Sequence, residues 1–409
     1  MTHTSRGPLL LLLCAALTAG AGNGISMIAF PWLVLQHNGS ALDASIVAMA
    51  GTLPLLAATL LAGAAVDYLG RRRVSMLSDL LSALSVMAVP LLALTFDVRA
   101  INVTTLAVLA AFGAFFDPAG MTARETMLPE AAGRAGWTLD RANSVYEATF
   151  NLAYIVGPGI GGLLIATLGG INTMWVTAAA FGCSIAAISV LKLEGAGRPD
   201  RTALAQSVWS GIIEGLRFVW RTPVLRTLAV VDLTITGLYM PMESVLFPKY
   251  FTDRDEPAQL GWVLMALSLG GLLGALGYAV TSRFLSRRAT MLLAVLTLGV
   301  AMTVISFLPP LPLILTLCAI VGFVYGPIAP IYNYVMQTTA PSHLRGRVVG
   351  VMGSLAYAAG PLGLVLAGPL ADTVGLPATF LALSLPMLVL GVVAVFLPAL
   401  RRLDLASNA

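Results

Sequence analysis

The chain has 409 residues, 58% of them apolar and 10% charged, with a net charge of +4 and a mean hydropathy of +0.89. A soluble chain carries about 25% charged residues, which excludes an ordinary water-soluble globule, and a disordered chain needs low hydrophobicity. A polytopic membrane protein remains, and its small basic balance reflects topology, not a nucleic-acid partner.

The N-terminal run from Arg6 through Leu9 to Ala16 resembles a signal peptide, yet its apolar character continues through Ile25, Phe30 and Trp32 to Leu35. That length crosses a hydrocarbon core of about 30 Å, so the run is read as an uncleaved first span. Spans of roughly 20 mostly apolar residues then place twelve in all, at 8–35, 42–66, 74–96, 101–123, 141–168, 172–192, 224–248, 259–282, 289–308, 311–336, 346–371 and 376–399. The third begins directly after Arg71-Arg72-Arg73. The expected fold is an all-α polytopic membrane protein with twelve transmembrane helices in two six-helix pseudo-repeats. The halves cover 1–192 and 224–409, the second ending in a short cytoplasmic tail, with a cytoplasmic linker at 193–223. Within the linker, Val208, Ile212, Leu216 and Val219 share a face between Trp209 and Trp220. This predicts a short amphipathic helix in the inner interface, acting as a packing strut between the halves. Cys14, Cys183 and Cys318 lie in separate apolar runs, match no metal-ligand spacing and are read as small core residues.

Basic residues orient the spans. One side carries Arg6; Arg71 to Arg73; Arg124, Arg134 and Arg141; Lys192, Arg198, Arg201, Arg217, Arg221 and Arg226. It also carries Arg283, Arg287 and Arg288; Arg345 and Arg347; and Arg401 and Arg402. The other side has Arg99, Lys249 and Arg254. Both termini and the linker are therefore expected in the cytoplasm.

The halves echo one another. Gly157-Pro158-Gly159-Ile160-Gly161-Gly162 in the fifth span matches Gly360-Pro361-Leu362-Gly363 in the eleventh. Phe116-Asp117-Pro118 in the fourth matches Tyr325-Gly326-Pro327 in the tenth. Paired repeats suit a transporter with a midplane substrate site. The stretch from Gly63 through Asp67 to Gly70-Arg71-Arg72-Arg73 resembles the signature of the major facilitator superfamily. There Gly63 permits close helix approach, Gly70 a tight turn, and Asp67 pairs with arginines. The second-half counterpart, Gly277 to Arg288, keeps the arginines without the acid. Gly157-Pro158-x-x-Gly161-Gly162 is similar to the fifth-helix antiporter motif of drug and metabolite exporters, with Ser144 and Ala153 where glycines usually stand. Phe116-Asp117-Pro118-Ala119, Leu128-Pro129, Ala142-Asn143-Ser144, the run Glu214 to Phe218, and Leu344 to Val348 resemble the enterobactin-exporter-like and macrolide-efflux-like group. Drug/proton antiporters of the family often carry a membrane-embedded arginine, linked to proton coupling, just before the glycine at Gly113. Here that region reads Leu109-Ala-Ala-Phe-Gly113.

Ionisable groups inside spans are costly and usually functional. Asp232 falls near the middle of the seventh span, on a stripe with Thr236, Tyr239 and Glu243. A second stripe on the fifth span runs Glu147, Asn151, Tyr154 and Pro158. Asn23 and Met27 share a face of the first span; in the tenth, Tyr325 and Tyr332 share one and Asn333 and Gln337 another. The resemblance implies that helices one, four, seven and ten border a central cavity. Asp232, Glu147 and Glu243 are therefore the coupling candidates, and the polar residues beside them are the cavity candidates. Asp79, Asp117, Glu125 and Arg124, with Asp67, Arg71 and Arg72, are read as a cytoplasmic gate.

Together these readings predict a monomeric secondary exporter of amphipathic drugs, secondary metabolites or siderophores, embedded in a bacterial-type inner membrane. It would work by alternating access as a proton antiporter. With no phosphate-binding loop in the sequence, no cofactor is expected beyond an ion gradient. An uptake or facilitated-diffusion permease and a lipid or lysophospholipid flippase are the alternatives within transport. A transport-like receptor or a membrane enzyme is the alternative outside it. No His cluster or nucleophile elbow points to catalysis.

Overall fold

The computed structural model describes residues 5–96, 101–193, 208–282, 284–341 and 344–405. The loop cations Arg99, Arg198, Arg201 and Arg283 lie outside them, as do the side-chain surroundings of Gly63, Asp67, Glu147, Asn151, Tyr154, Trp209 and Gln337. Among the described residues there is no strand. Among the described residues, eleven helical stretches are long and apolar enough to cross a membrane, and Val156–Leu168 is a shorter apolar segment. The protein is a multi-pass membrane protein.

The first half comprises α1 (Gly7–Asn38), α2 (Ala41–Ala50), α3 (Leu53–Leu69), α4 (Arg71–Phe96), α5 (Val103–Ala135), α6 (Leu139–Leu168) and α7 (Gly170–Val190). Next come α8 (Val208–Arg221), α9 (Pro223–Pro241), a π-turn at Met242–Leu246, α10 (Phe247–Thr252), α11 (Pro257–Thr281) and α12 (Arg287–Ile305). The chain finishes with α13 (Leu311–Tyr325), α14 (Ile328–Thr339), α15 (Arg345–Val374), α16 (Leu376–Phe396) and α17 (Pro398–Leu405).

Three spans read as continuous are interrupted. The second breaks at Gly51-Thr52, where Pro54 opens the next helix, because proline at a first turn needs no N–H partner. The tenth breaks at Gly326-Pro327. Its first-half counterpart, Phe116-Asp117-Pro118, stays inside α5. Glycine at 326 adds backbone freedom to the bond that the following proline removes. The seventh carries the π-turn next to Pro241. One length also differs from expectation: the fourth span continues to Ala135. The chain after the twelfth span includes the short helix α17.

Close contacts divide the chain into two compact units. Unit 1 takes in Met1–Gly39, Ile46–Gln206 and Glu256–Gly261; unit 2 takes in Ser40–Ser45, Ser207–Asp255 and Trp262–Ala409. In unit 1, α1 packs on α6 and α7, and α4 packs on α5 and α7. In unit 2, α9 packs on α15, and α12 on α13 and α16. The same pairings thus recur in span order, which is what a duplicated six-span unit requires. The linker helix α8 packs on α9 and α15, with Val219 fully buried and Trp220 exposed.

The cysteines need correction. Cys318 is buried, but Cys14 and Cys183 are exposed. Lipid is as apolar as a protein interior, so an apolar run does not say which of its positions face inward.

Candidate functional site

Asp232 is the tenth residue of α9, so a rise of 1.5 Å per residue puts it about 14 Å into the helix, well inside the span. It is half-buried, and among the described residues no cation pairs with it. Two tyrosines from the broken tenth span, Tyr325 at the end of α13 and Tyr332 on α14, are close enough to feel its charge. The Tyr332 hydroxyl donates to the Leu228 carbonyl of α9 at 3.4 Å. Two turns further on, the buried Tyr239 hydroxyl lies beside the Glu243 carboxyl, with Cys318 and Tyr325 next to it. Thr236 is half-buried between these groups on α9. Unit 2 therefore gathers Asp232, Tyr239, Glu243, Tyr325 and Tyr332 into one row of polar groups. Asn333 on α14 is exposed.

Unit 1 has its own polar centre. Asp79 on α4 and Arg124 on α5 are 1% and 2% exposed. The Arg124 Nη1 donates to both Asp79 carboxylate oxygens at 3.0 Å, and Ser184 on α7 donates to Asp79 Oδ2 at 2.6 Å. Ser75 lies 3.4 Å from the same Nη1. Asp117, half-buried about two turns earlier on α5, accepts from Ser82 at 3.2 Å and from the Asn23 amide of α1. Met27, one turn after Asn23, is half-buried. The serines of α4 are a feature sequence reading did not extract. Ser75, Ser78, Ser82 and Ser85 are all buried, and the last three donate to α5 groups, including the Phe116 carbonyl at 2.7 Å. Their spacing of three, four and three residues was the available signal, since it marks one helix face.

The signature arginines bind helices together. Gly70 closes α3 with φ +86°, a conformation that favours glycine. Arg71 donates to the Thr126 carbonyl of α5 at 3.0 Å, and Arg72 to the Ser189 carbonyl at the end of α7. The antiporter-like glycines hold α6 against its neighbours. A methyl group on Gly157 would stand 2.9 Å from Gly24 Cα, one on Gly161 3.3 Å from Ile25 Cα, and one on Gly162 2.5 Å from Gly261 Cα. Pro158 beside them is buried. Their second-half equivalents Gly360 and Gly363 abut Met240 and the Gly237 carbonyl of α9. Glu147, Asn151 and Tyr154 lie on α6, and their side chains fall outside the described residues, as do those of Asp67 and Gln337.

Comparison with known proteins adds the family. Residues 12–364 match the family model described as Major Facilitator Superfamily. The chain is 85% identical to the multidrug efflux pump Tap of Mycolicibacterium fortuitum over 408 residues, covering 100% of both chains. It is 66% identical to Tap of Mycobacterium tuberculosis, covering 100% of this chain and 98% of that one. It is 23% identical to macrolide efflux protein A of Streptococcus pyogenes, covering 95% and 97%. Among solved structures, the nucleoside transporter NupG superposes with a TM-score of 0.72 at 12% identity, covering 96% of this chain and 99% of that one. This last likeness concerns the fold alone. The chain belongs to the Major Facilitator Superfamily.

Proposed function

We propose that this protein is a drug efflux transporter that expels small amphipathic compounds by alternating access, in exchange for protons. The observation that carries the reading is 85% identity, end to end, with a protein named a multidrug efflux pump. It works as a monomer in a cytoplasmic membrane with both termini inside; the orientation is supported by the loop and helix-end arginines and lysines, most of which fall on the side of the termini and the linker. No cofactor takes part; the ion gradient supplies the energy. Asp232 is the coupling carboxylate, supported by its position well inside the span, its lack of a cationic partner among the described residues and the tyrosines around it. A carboxylate without a fixed counter-ion can alternate between protonated and ionised forms as substrate comes and goes.

Expression in a strain lacking its main exporters tests the activity. Raised drug resistance that an uncoupler abolishes is the expected result; uncoupler-insensitive resistance rejects the proton-driven reading. In proteoliposomes, Asp232→Asn is expected to stop substrate-driven proton movement, and unchanged coupling would remove Asp232 from the mechanism.

A further inference from the structure

The buried centre of unit 1 holds one cation and two acids. Arg124 is committed through Nη1 to Asp79, which Ser184 also binds, while its Nε–H, fully buried, has no hydrogen-bond partner. Asp117 belongs to the same electrostatic group, with both Asp79 and Arg124 acting on it, but its hydrogen bonds come from the neutral donors Ser82 and Asn23. With both acids ionised the centre would hold a net negative charge away from water, which is the costly arrangement for buried ions. One proton removes that charge. Asp79 is sealed and doubly bonded, whereas Asp117 keeps partial exposure, so the proton has a route to Asp117.

We propose that Asp117 is a second proton-carrying carboxylate, switched through Arg124, whose free Nε–H and grip on Asp79 make it the moving part. This rests on the proton-antiport reading above. On release, the O–H bond of Asp117 breaks and the proton passes to water; the resulting carboxylate accepts from the guanidinium, which loosens its hold on Asp79. On uptake the sequence reverses and the Arg124–Asp79 pair re-forms. Because Asp79 also binds Ser184, the switch reaches α7 as well as α4 and α5.

Among the described residues, the other groups facing this centre are few. From α1 comes Asn23, from α4 Asp79, and from α6 Tyr146, which is buried beside Arg124. On α5 itself Glu125 is exposed. Arg71 is directed to the Thr126 carbonyl and Arg141 is stacked on Trp137. The neighbouring α3 carries Asp67, whose side chain lies outside the described residues.

The test uses the full-length protein in lipid nanodiscs and proteoliposomes, with each variant first checked for monodispersity by size-exclusion chromatography. Infrared difference spectra across neutral pH read the C=O stretch of protonated carboxyls without any drug. Asp117→Asn is expected to delete a band that Asp232→Asn leaves in place, and Asp117→Glu to restore it at a shifted position. With ethidium as the transported probe, Asp117→Asn is expected to lower dye-driven proton movement about tenfold or more, an ordinary magnitude for linkage between two sites, while dye binding persists. An unchanged infrared band, or a wild-type proton yield per dye in Asp117→Asn, overturns the proposal and leaves Asp232 coupling intact. If the wild type expels ethidium without moving protons, or does not expel it at all, the coupling role assigned to both residues falls.

Discussion

Arg72 and Arg288 occupy one place in two repeats. Each is the second residue of its helix, and each donates to the backbone carbonyl of the penultimate residue of its unit's last span, Ser189 for Arg72 and Val395 for Arg288. The repeat extends to the other end of those last spans. Gly169 and Gly375 precede them with φ +81° and +86°, and Thr173 and Thr379 each return a hydroxyl bond to that glycine's carbonyl. A guanidinium at a helix C-terminus meets both an orphan carbonyl and the negative end of the helix dipole.

Arg72→Ala and Arg288→Ala should therefore destabilise the protein by similar amounts, about 1 kcal/mol each, because a charge-assisted bond is lost at a site with some solvent exposure. Thermal-shift measurements on the two purified variants check this. A large effect from one and none from the other would contradict an equivalent role.

Asp79→Ala should be much more harmful, by about 3–5 kcal/mol, because it strands the Arg124 charge in a buried site. The double variant Asp79→Leu with Arg124→Met should recover much of the loss, since the lone charge is gone. Yield and midpoint of unfolding in detergent give the comparison. If the double variant is as unstable as the single, the ion pair is worth more than its removal and the argument fails.

Packing at the antiporter-like motif predicts a size limit. Gly157→Val would drive side-chain atoms into the Gly24 backbone, and overpacking of this kind costs about 1–3 kcal/mol. Gly182→Ala, whose added methyl meets nothing within 4 Å, is the control and should be tolerated. Retained stability and retained transport in Gly157→Val would show that α1 and α6 can separate freely there.

At the start of α2, Asp372 of α15 acts as a helix cap supplied from far along the chain. It accepts from the Ala41 and Leu42 amides at 2.9 Å and from the Ser40 hydroxyl at 3.0 Å. Asp372→Ala should cost about 1 kcal/mol of local stability, seen as faster hydrogen exchange confined to the first turn of α2. Unchanged exchange there would mean that water replaces the cap at no cost.

The spans were legible because a hydrocarbon solvent tolerates only long apolar helices, and length and hydropathy are local properties. The twofold repeat was legible for the same reason, since Gly157-Pro158 and Gly360-Pro361 are local patterns. What escaped reading depends on direction. Cys14 and Cys183 sit in apolar runs yet face outward, and only packing distinguishes lipid from core. The α4 serines were visible as a spacing, but their partners, carbonyls of α5, leave no trace in sequence. The Asp372 cap joins residues about 330 positions apart, beyond any local pattern. Asp232 and Asp117 were identified because a charge inside a span stands out; that Asp232 lies beside tyrosines and Asp117 beside an ion pair could come only from the fold.

The π-turn at Met242–Leu246 has a consequence for any scan of the seventh span. One extra residue enters the turn, so side chains beyond it are rotated by about 100° relative to an uninterrupted α-helix. A cysteine walk from Pro223 to Thr252, plotted as reactivity against position, would give a wave whose phase slips between Pro241 and Phe247. Read as a single sinusoid, it would assign the later positions to the wrong wall.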